Sequence, residues 1–318
     1  MSDDGRVAVV VGAGTIGLGW VVLFLAHGLT VRVVSTRGAA AEGAVRDALE
    51  LFAPGLPGHP VPPARLARRL EIVPELERAL DGADVVQENT PENLELKQGL
   101  FARLGAGADP RTLLLSSTST LVPDELSARM AAPGRVVVGH PFNPPHLVPL
   151  VEVVGGTRTD PDAVAGAVRF YESVGKVPVV LRRPIMAFAA NRLQSALLRE
   201  AIHLVREGVV TVGELDEVVT ASVGPRWATM GPFRSFHLGG GEGGLRRWLT
   251  TLGAGLQKGW QELGEPVLDD DTIELLLAQA EEAFGDIPYR DLAARRDVLL
   301  RTVLEALDRV REDDPAPL

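Results

Sequence analysis

Residues 7–26 form a run of twenty positions without a charge. The pattern inside it is not that of one apolar helix. Val7-Ala8-Val9-Val10-Val11 is β-rich, then come Gly12, Gly14, Gly17 and Gly19, and a second apolar stretch ends at Ala26. This order predicts a strand, a tight turn and a helix. A run of about 20 residues could also span a bilayer, but four glycines argue against that use. The acidic start Met1-Ser2-Asp3-Asp4 lacks the basic region of a signal peptide.

Further along, short Val-rich runs at 30–34, 84–87, 112–116, 135–139, 150–154 and 177–181 join the first at 6–11. Helical patterns fill the intervals at 39–52, 74–80, 91–104, 122–130 and 160–174, the last with Asp160 as N-cap and Pro161 at the first position. Strands alternating with helices imply βαβ units. After Pro184 the periodicity is helical throughout, at 185–207, 212–223, 242–263, 271–284 and 288–311, broken most sharply by Gly239-Gly240-Gly241-Glu242-Gly243-Gly244. The expected fold is therefore α/β: a Rossmann-like, mostly parallel sheet in residues 1–184 and an all-helical C-terminal domain in 185–318.

Composition narrows the function. A chain of 318 residues is long enough for two domains. The absence of cysteine excludes disulfides, thiolate metal sites and a cysteine nucleophile. A net charge of −10 argues against nucleic-acid or anionic-membrane binding through overall charge, which leaves a soluble cytoplasmic protein with a small-molecule partner as the expectation. Only three of the 32 basic residues are lysines: Lys97, Lys176 and Lys258.

Gly12-Ala13-Gly14-Thr15-Ile16-Gly17 lies between the first strand and helix, where glycines let a dinucleotide pyrophosphate approach backbone N–H groups. At the end of the second strand stands Ser35-Thr36-Arg37, without the carboxylate that binds an NAD ribose. Hydroxyls and a guanidinium there favour NADP(H) over NAD(H), unless Arg37 is a solvated loop residue. His140-Pro141-Phe142-Asn143-Pro144-Pro145 is followed by Glu152 in Leu150-Val151-Glu152-Val153-Val154. A carboxylate among valines on a strand needs a partner. If the chain folds back, Glu152 can orient the His140 imidazole as a general acid/base.

The glycine turn, Gln87-Glu88-Asn89-Thr90-Pro91-Glu92-Asn93, Ser116-Ser117-Thr118-Ser119, the His140 to Glu152 unit, Ala190-Asn191-Arg192 and Gly231-Pro232-Phe233 resemble, in order and spacing, the 3-hydroxyacyl-CoA dehydrogenase family over nearly the whole chain. Gln87-Glu88 with Pro91-Glu92-Asn93, and Arg226-Trp227, look closer to the branch holding λ-crystallin (L-gulonate 3-dehydrogenase) and L-carnitine dehydrogenase. Ketoreductases of actinorhodin-type polyketide pathways are similar as well. The resemblance implies that His140 is the acid/base and Glu152 its orienting carboxylate. It further implies that Ser119 and Asn191 hold the reacting oxygen or the substrate, that Glu88 and Asn93 lie near the nicotinamide ribose, and that a homodimer forms.

Trp227, Met230, Phe233 and Phe236 offer an apolar wall to a substrate between the domains or are plain core, and His237 lines that cavity or caps a helix. The Pro- and Gly-rich stretch 54–63 and the absence of lysine around it speak against coenzyme A. The expected reaction is stereospecific NAD(P)H-dependent reduction of a 3-keto acid or ester in polyketide biosynthesis. The alternatives are an NAD-linked dehydrogenase of a small 3-hydroxy acid, such as gulonate or carnitine, and a non-catalytic crystallin-like protein.

Overall fold

The computed structural model describes residues 5–56 and 61–313. The acidic first four residues, positions 57–60 of the Pro-rich stretch and residues 314–318 lie outside them. From the N-terminus the chain forms β1 (Val7–Val11), α1 (Thr15–Ala26), β2 (Thr30–Val34), α2 (Ala39–Phe52), α3 (Pro63–Leu66), β3 (Leu70–Ile72), α4 (Leu76–Ala79) and β4 (Val85–Glu88). Next come α5 (Leu94–Gly107), β5 (Leu113–Ser116), α6 (Pro123–Leu126), β6 (Val136–Pro141), β7 (Leu150–Val154), α7 (Pro161–Ser173) and β8 (Val177–Val180). The eight strands lie in the order β3-β2-β1-β4-β5-β6-β7-β8.

Strands β1 to β6 run parallel, and β7 turns back antiparallel to β6 before β8 pairs parallel to β7. The order of the first six is that of a doubly wound dinucleotide-binding fold. Across β1 and β4 to β7 both faces of the sheet are covered, which is why these strands read as nearly unbroken apolar runs rather than as an alternation, while β8 at the edge is largely exposed. On one face Ala8 and Val10 pack with Trp20, Phe24 and Tyr171; on the other Val9 and Val11 pack with Val86, Phe101 and Leu104.

β3 is an addition to the strands expected. Three residues of alternating Leu-Glu-Ile at the sheet edge are too few for a periodic signal. The helix expected at 91–104 starts instead at Leu94, because Asn93 Oδ1 accepts from Leu96 N and caps it. The helix expected at 122–130 shortens to the single turn of α6.

The remaining chain is helical: α8 (Phe188–Arg206), α9 (Val212–Ala221), α10 (Val223–Thr229), α11 (Pro232–Gly239), α12 (Gly244–Gln261), α13 (Asp270–Ala280) and α14 (Tyr289–Asp313), with a π-helical turn at Glu281–Gly285. α10 and α11 fall in a stretch where the periodicity marked no helix. The glycine run makes a tight turn, with Gly241 at φ 60° and Gly244 at φ 58°, and α12 begins at its end rather than at Glu242.

By internal contacts the chain divides into two units: one runs to Asn191 and takes in Ala294–Thr302, the other holds Arg192–Ala293 and Val303–Leu318. The first unit thus extends past Pro184 into the first turn of α8. The long uncharged run resolves into β1, the glycine turn and a twelve-residue α1. No helix among the described residues is long and apolar enough to cross a membrane.

Candidate active site

At the end of β1 the backbone bends sharply. Gly12 has φ 97°, and a Cβ there would stand 2.7 Å from the Asn89 carbonyl oxygen, so only glycine fits. A Cβ on Gly14 would meet nothing within 4 Å. Gly14 and Thr15 are exposed, Ile16 is half-buried and Gly17 buried. Helix α1 opens without a side-chain cap and without an acidic residue in its first turn. Open space over free N–H groups at the positive end of a helix suits a pyrophosphate, so these residues fit a dinucleotide.

Beneath the turn lies a closed polar network. Trp20 Nε1 and Gln87 Nε2 donate to Ser117 Oγ at 3.0 and 2.9 Å, and Ser117 Oγ donates to Asn89 Oδ1 at 2.7 Å. Tyr171 OH donates to Gln87 Oε1 at 2.8 Å and fills the space where a Cβ on Gly139 would sit. Buried polar groups cost little only when every one is paired. This chain of bonds fixes Asn89 against the turn.

Glu88, expected to lie near the nicotinamide ribose, has both carboxylate oxygens engaged within the protein. It is fully buried, and its oxygens accept from Lys97 Nζ (2.8 and 3.0 Å), Thr90 N (2.6 Å), Thr90 Oγ1 (2.5 Å) and Ser116 Oγ (2.5 Å). Its carboxylate is consumed in holding the ends of β4 and β5 to α5. Lys97, which the sequence pattern did not single out, is the buried hub, with a third bond to Thr90 O and Glu92 Oε2 at 3.5 Å. Glu92 in turn accepts from Thr118 Oγ1, Ser119 N, Thr120 N and Thr120 Oγ1. Burial alone would raise the Glu92 pKa; these bonds and Lys97 outweigh it and hold the carboxyl below its usual range. Ser119 is thereby fixed through its backbone at the C-terminal end of β5, half-buried.

His140 and Glu152 face each other directly in the antiparallel β6–β7 pair. They are 5% and 2% exposed, so neither could stay buried without the other. His140 Nδ1 donates to Glu152 Oε2 at 3.0 Å, while Glu152 Oε1 accepts from Ala189 N at 2.8 Å and Ala190 N at 3.1 Å, the N-terminus of α8. With its proton on Nδ1, the imidazole keeps Nε2 as an acceptor, and Asn191 Nδ2 lies 3.4 Å from it. Phe188 packs its ring 5.3 Å from the imidazole. To present these amides, Ala187 and Phe188 take left-handed backbone angles of φ 61° and 50°, a strain that side-chain-bearing residues bear only where surrounding structure enforces it.

Three expected site residues are thus brought together: His140, Glu152 and Asn191. Ser35, half-buried, and Thr36 and Arg37, both exposed, follow β2, with Arg37 N donating to Ser35 Oγ at 3.2 Å. Trp227, Met230, Phe233 and His237 belong to the second unit. There His237 Nδ1 accepts from Leu245 N in the first turn of α12, a capping role, and Phe236 stacks on Trp248.

A family model described as 3-hydroxyacyl-CoA dehydrogenase, NAD binding domain, matches residues 6–184, and one described as 3-hydroxyacyl-CoA dehydrogenase, C-terminal domain, matches residues 188–274. The L-carnitine dehydrogenase of Streptomyces coelicolor is 42% identical over 312 residues, covering 98% of each chain. That of Pseudomonas aeruginosa is 42% identical over 296 residues, covering 93% of this chain and 92% of its own. Among solved structures, an NAD+ dependent 5-formyl-3-hydroxy-2-methylpyridine 4-carboxylic acid 5-dehydrogenase superposes with a TM-score of 0.71 at 26% identity, covering 95% of this chain and 98% of its own. The 3-hydroxyacyl-CoA dehydrogenase of Archaeoglobus fulgidus gives 0.64 at 25% identity, covering 94% and 97%.

The pair also leaves a mark on stability. Burial alone would raise the Glu152 pKa, but the bonds from His140, Ala190 N and Ala189 N outweigh it and hold the carboxyl below its ordinary 4.5. A carboxylate depressed in the folded state adds stability that is present above the unfolded pKa and lost as pH falls through the folded one. Glu152→Gln removes that contribution. Between about pH 6 and about pH 3, the wild-type urea midpoint is expected to fall more steeply than that of the variant; parallel curves would contradict the assignment.

Proposed function

Because the chain belongs to the 3-hydroxyacyl-CoA dehydrogenase family and is an oxidoreductase acting on CH–OH groups with a nicotinamide cofactor, we propose that its substrate is a small 3-hydroxy acid of the L-carnitine type. The observation that carries the chemistry is the buried His140–Glu152 pair with Nε2 left open. In oxidation, Nε2 takes the proton of the substrate hydroxyl while Glu152 stabilises the imidazolium. Asn191, beside Nε2, steadies the reacting oxygen. A bound nicotinamide would supply the acceptor for the hydride of the carbinol carbon.

The substrate class rests on relatives named L-carnitine dehydrogenase that match this chain nearly end to end. That supports the small-acid alternative over polyketide ketoreduction, and a paired catalytic histidine favours both over a non-catalytic role. In a panel of L-carnitine, other 3-hydroxy acids and 3-hydroxyacyl thioesters, oxidation is expected with the free acids. His140→Ala should lose at least about 100-fold in turnover and still bind nucleotide. Turnover confined to thioesters or bulky keto esters would overturn the substrate, and a variant within twofold of wild type would overturn the role of His140.

The cofactor proposal is finer. The end of β2 holds Ser35, Thr36 and an exposed Arg37 whose guanidinium makes no hydrogen bond or ion pair among the described residues. These groups support the 2′-phosphorylated dinucleotide, with NAD(H) as the competitor. Wild type is expected to favour NADP(H) in kcat/KM, and Ser35→Asp to shift the ratio toward NAD(H) by at least about tenfold. Better use of NAD(H) by the wild type would reverse the proposal.

We also propose pairing of two copies through the second unit, which leaves Phe233, Trp260 and Tyr289 at 75%, 64% and 70% exposure. Covering such large apolar side chains with a second copy would remove their surface from water. Sedimentation equilibrium is expected to give twice the chain mass of 33.9 kDa; a monomer at micromolar concentration would refute the pairing.

A further inference from the structure

The connection that brings Glu152 back to His140 is eight residues long, Phe142 to Pro149. Its length and position set the register of β7 on β6. A slip of one residue would turn Glu152 to the opposite face of the sheet and leave two buried polar groups unpaired. Pro144, Pro145, His146 and Leu147 of this connection are buried, and Pro145 rests directly on α1 at Gly19, where a Cβ would come within 2.8 Å.

Lys176, one residue before β8, reaches into this connection. It is 6% exposed, donates to Pro145 O and, at 2.7 Å, to Val148 O, and lies 5.4 Å from the centre of the Trp20 ring. No carboxylate pairs with it among the described residues. On the other side of the same connection, the buried His146 stacks on Phe52 and meets Asp297 Oδ2 at 3.3 Å. Asp297 is held in turn by Arg296.

We propose that Lys176 is a positioning residue for the acid/base pair: its ammonium pins the β6–β7 connection and so holds Glu152 in register opposite His140. This rests on the reading of His140 and Glu152 as the proton-transfer pair. Burial pushes the Lys176 ammonium down to about 7, so placing an amine here costs desolvation that no carboxylate among the described residues offsets. A role in packing alone would be served by methionine, which is of similar length and free of that penalty. What methionine lacks is the ability to bridge two carbonyls.

The test compares wild type with Lys176→Met. Expected are a fall in kcat of about tenfold or more, a nucleotide KM within about twofold, and faster amide hydrogen exchange across residues 142–152. Since the wild type has no cysteine, Lys176→Cys can be alkylated at that single thiol with bromoethylamine in denaturant and refolded. The aminoethyl thioether restores the ammonium, and recovery of kcat is expected where alkylation with iodoacetamide gives none. Unchanged kcat with unchanged exchange in Lys176→Met overturns the pin. If Lys176→Met does not fold, equal kcat for the two alkylated forms overturns it instead. Faster exchange in Lys176→Met alongside normal turnover in His140→Ala would keep the pin and remove the acid/base reading.

Discussion

A carboxylate in the middle of a buried strand is the constraint on which the rest of the site depends. Glu152 stands among valines on β7, and in an apolar interior an unpaired carboxylate would take up a proton rather than stay charged. It is kept ionised by an imidazole across the strand pair and by two amides at the start of a helix. Each requirement shapes the fold. The imidazole calls for β7 to run antiparallel to β6 in an otherwise parallel series, so that residues twelve apart in sequence stand opposite each other. The amides call for α8 to begin at the sheet, which draws its first turn into the first unit.

The parts legible in the sequence are those whose physical need is local. A glycine turn between a β-rich run and an apolar helix has few other uses, and Gly12 and Gly17 are where they must be. His140 and Glu152 could be paired because a strand-bound carboxylate demands a partner and a proline-rich stretch between them can reverse the chain. The parts that were not legible depend on contacts distant in sequence. The resemblance puts Glu88 near the nicotinamide ribose, but nothing in the sequence shows that its bonding environment comes from Ser116, 28 residues on, and from a lysine on the next helix. β3 exists only because β2 offers an edge to pair with. The left-handed angles at Ala187 and Phe188 have no sequence signal, since neither residue type favours them; the need to aim two amides at Glu152 imposes them.

The helical region shows the same division. Its long amphipathic helices were visible as period, whereas α10 and α11 are only seven and eight residues long. Each is shorter than the window of about 11 residues over which a helical period can be read, so propensity and packing decide them. His237 illustrates why residue type alone does not assign a role: an imidazole near glycines can bind a ligand or satisfy a helix end, and here its nitrogen meets Leu245 N.

The rarity of lysine acquires a meaning from these placements. Twenty-nine arginines supply nearly all the positive charge, yet Lys97 and Lys176, two of the three lysines, are among the buried residues. An ammonium is compact and can direct three N–H bonds in a tetrahedral spread, where a guanidinium is planar and broad. Lys97 spends its bonds on both oxygens of Glu88 and on Thr90 O, joining α5 to the end of β4 beside the glycine turn. Lys176 spends two on the carbonyls of the connection that carries Glu152. The two differ in electrostatics, because Lys97 has a carboxylate at 2.8 Å and Lys176 has only dipoles and a ring. The first can be explained by stability alone, as a paired charge tying α5 to β4. The second has no counter-ion among the described residues, and under the proposed role its retention follows from the two carbonyls it holds in the connection that carries Glu152.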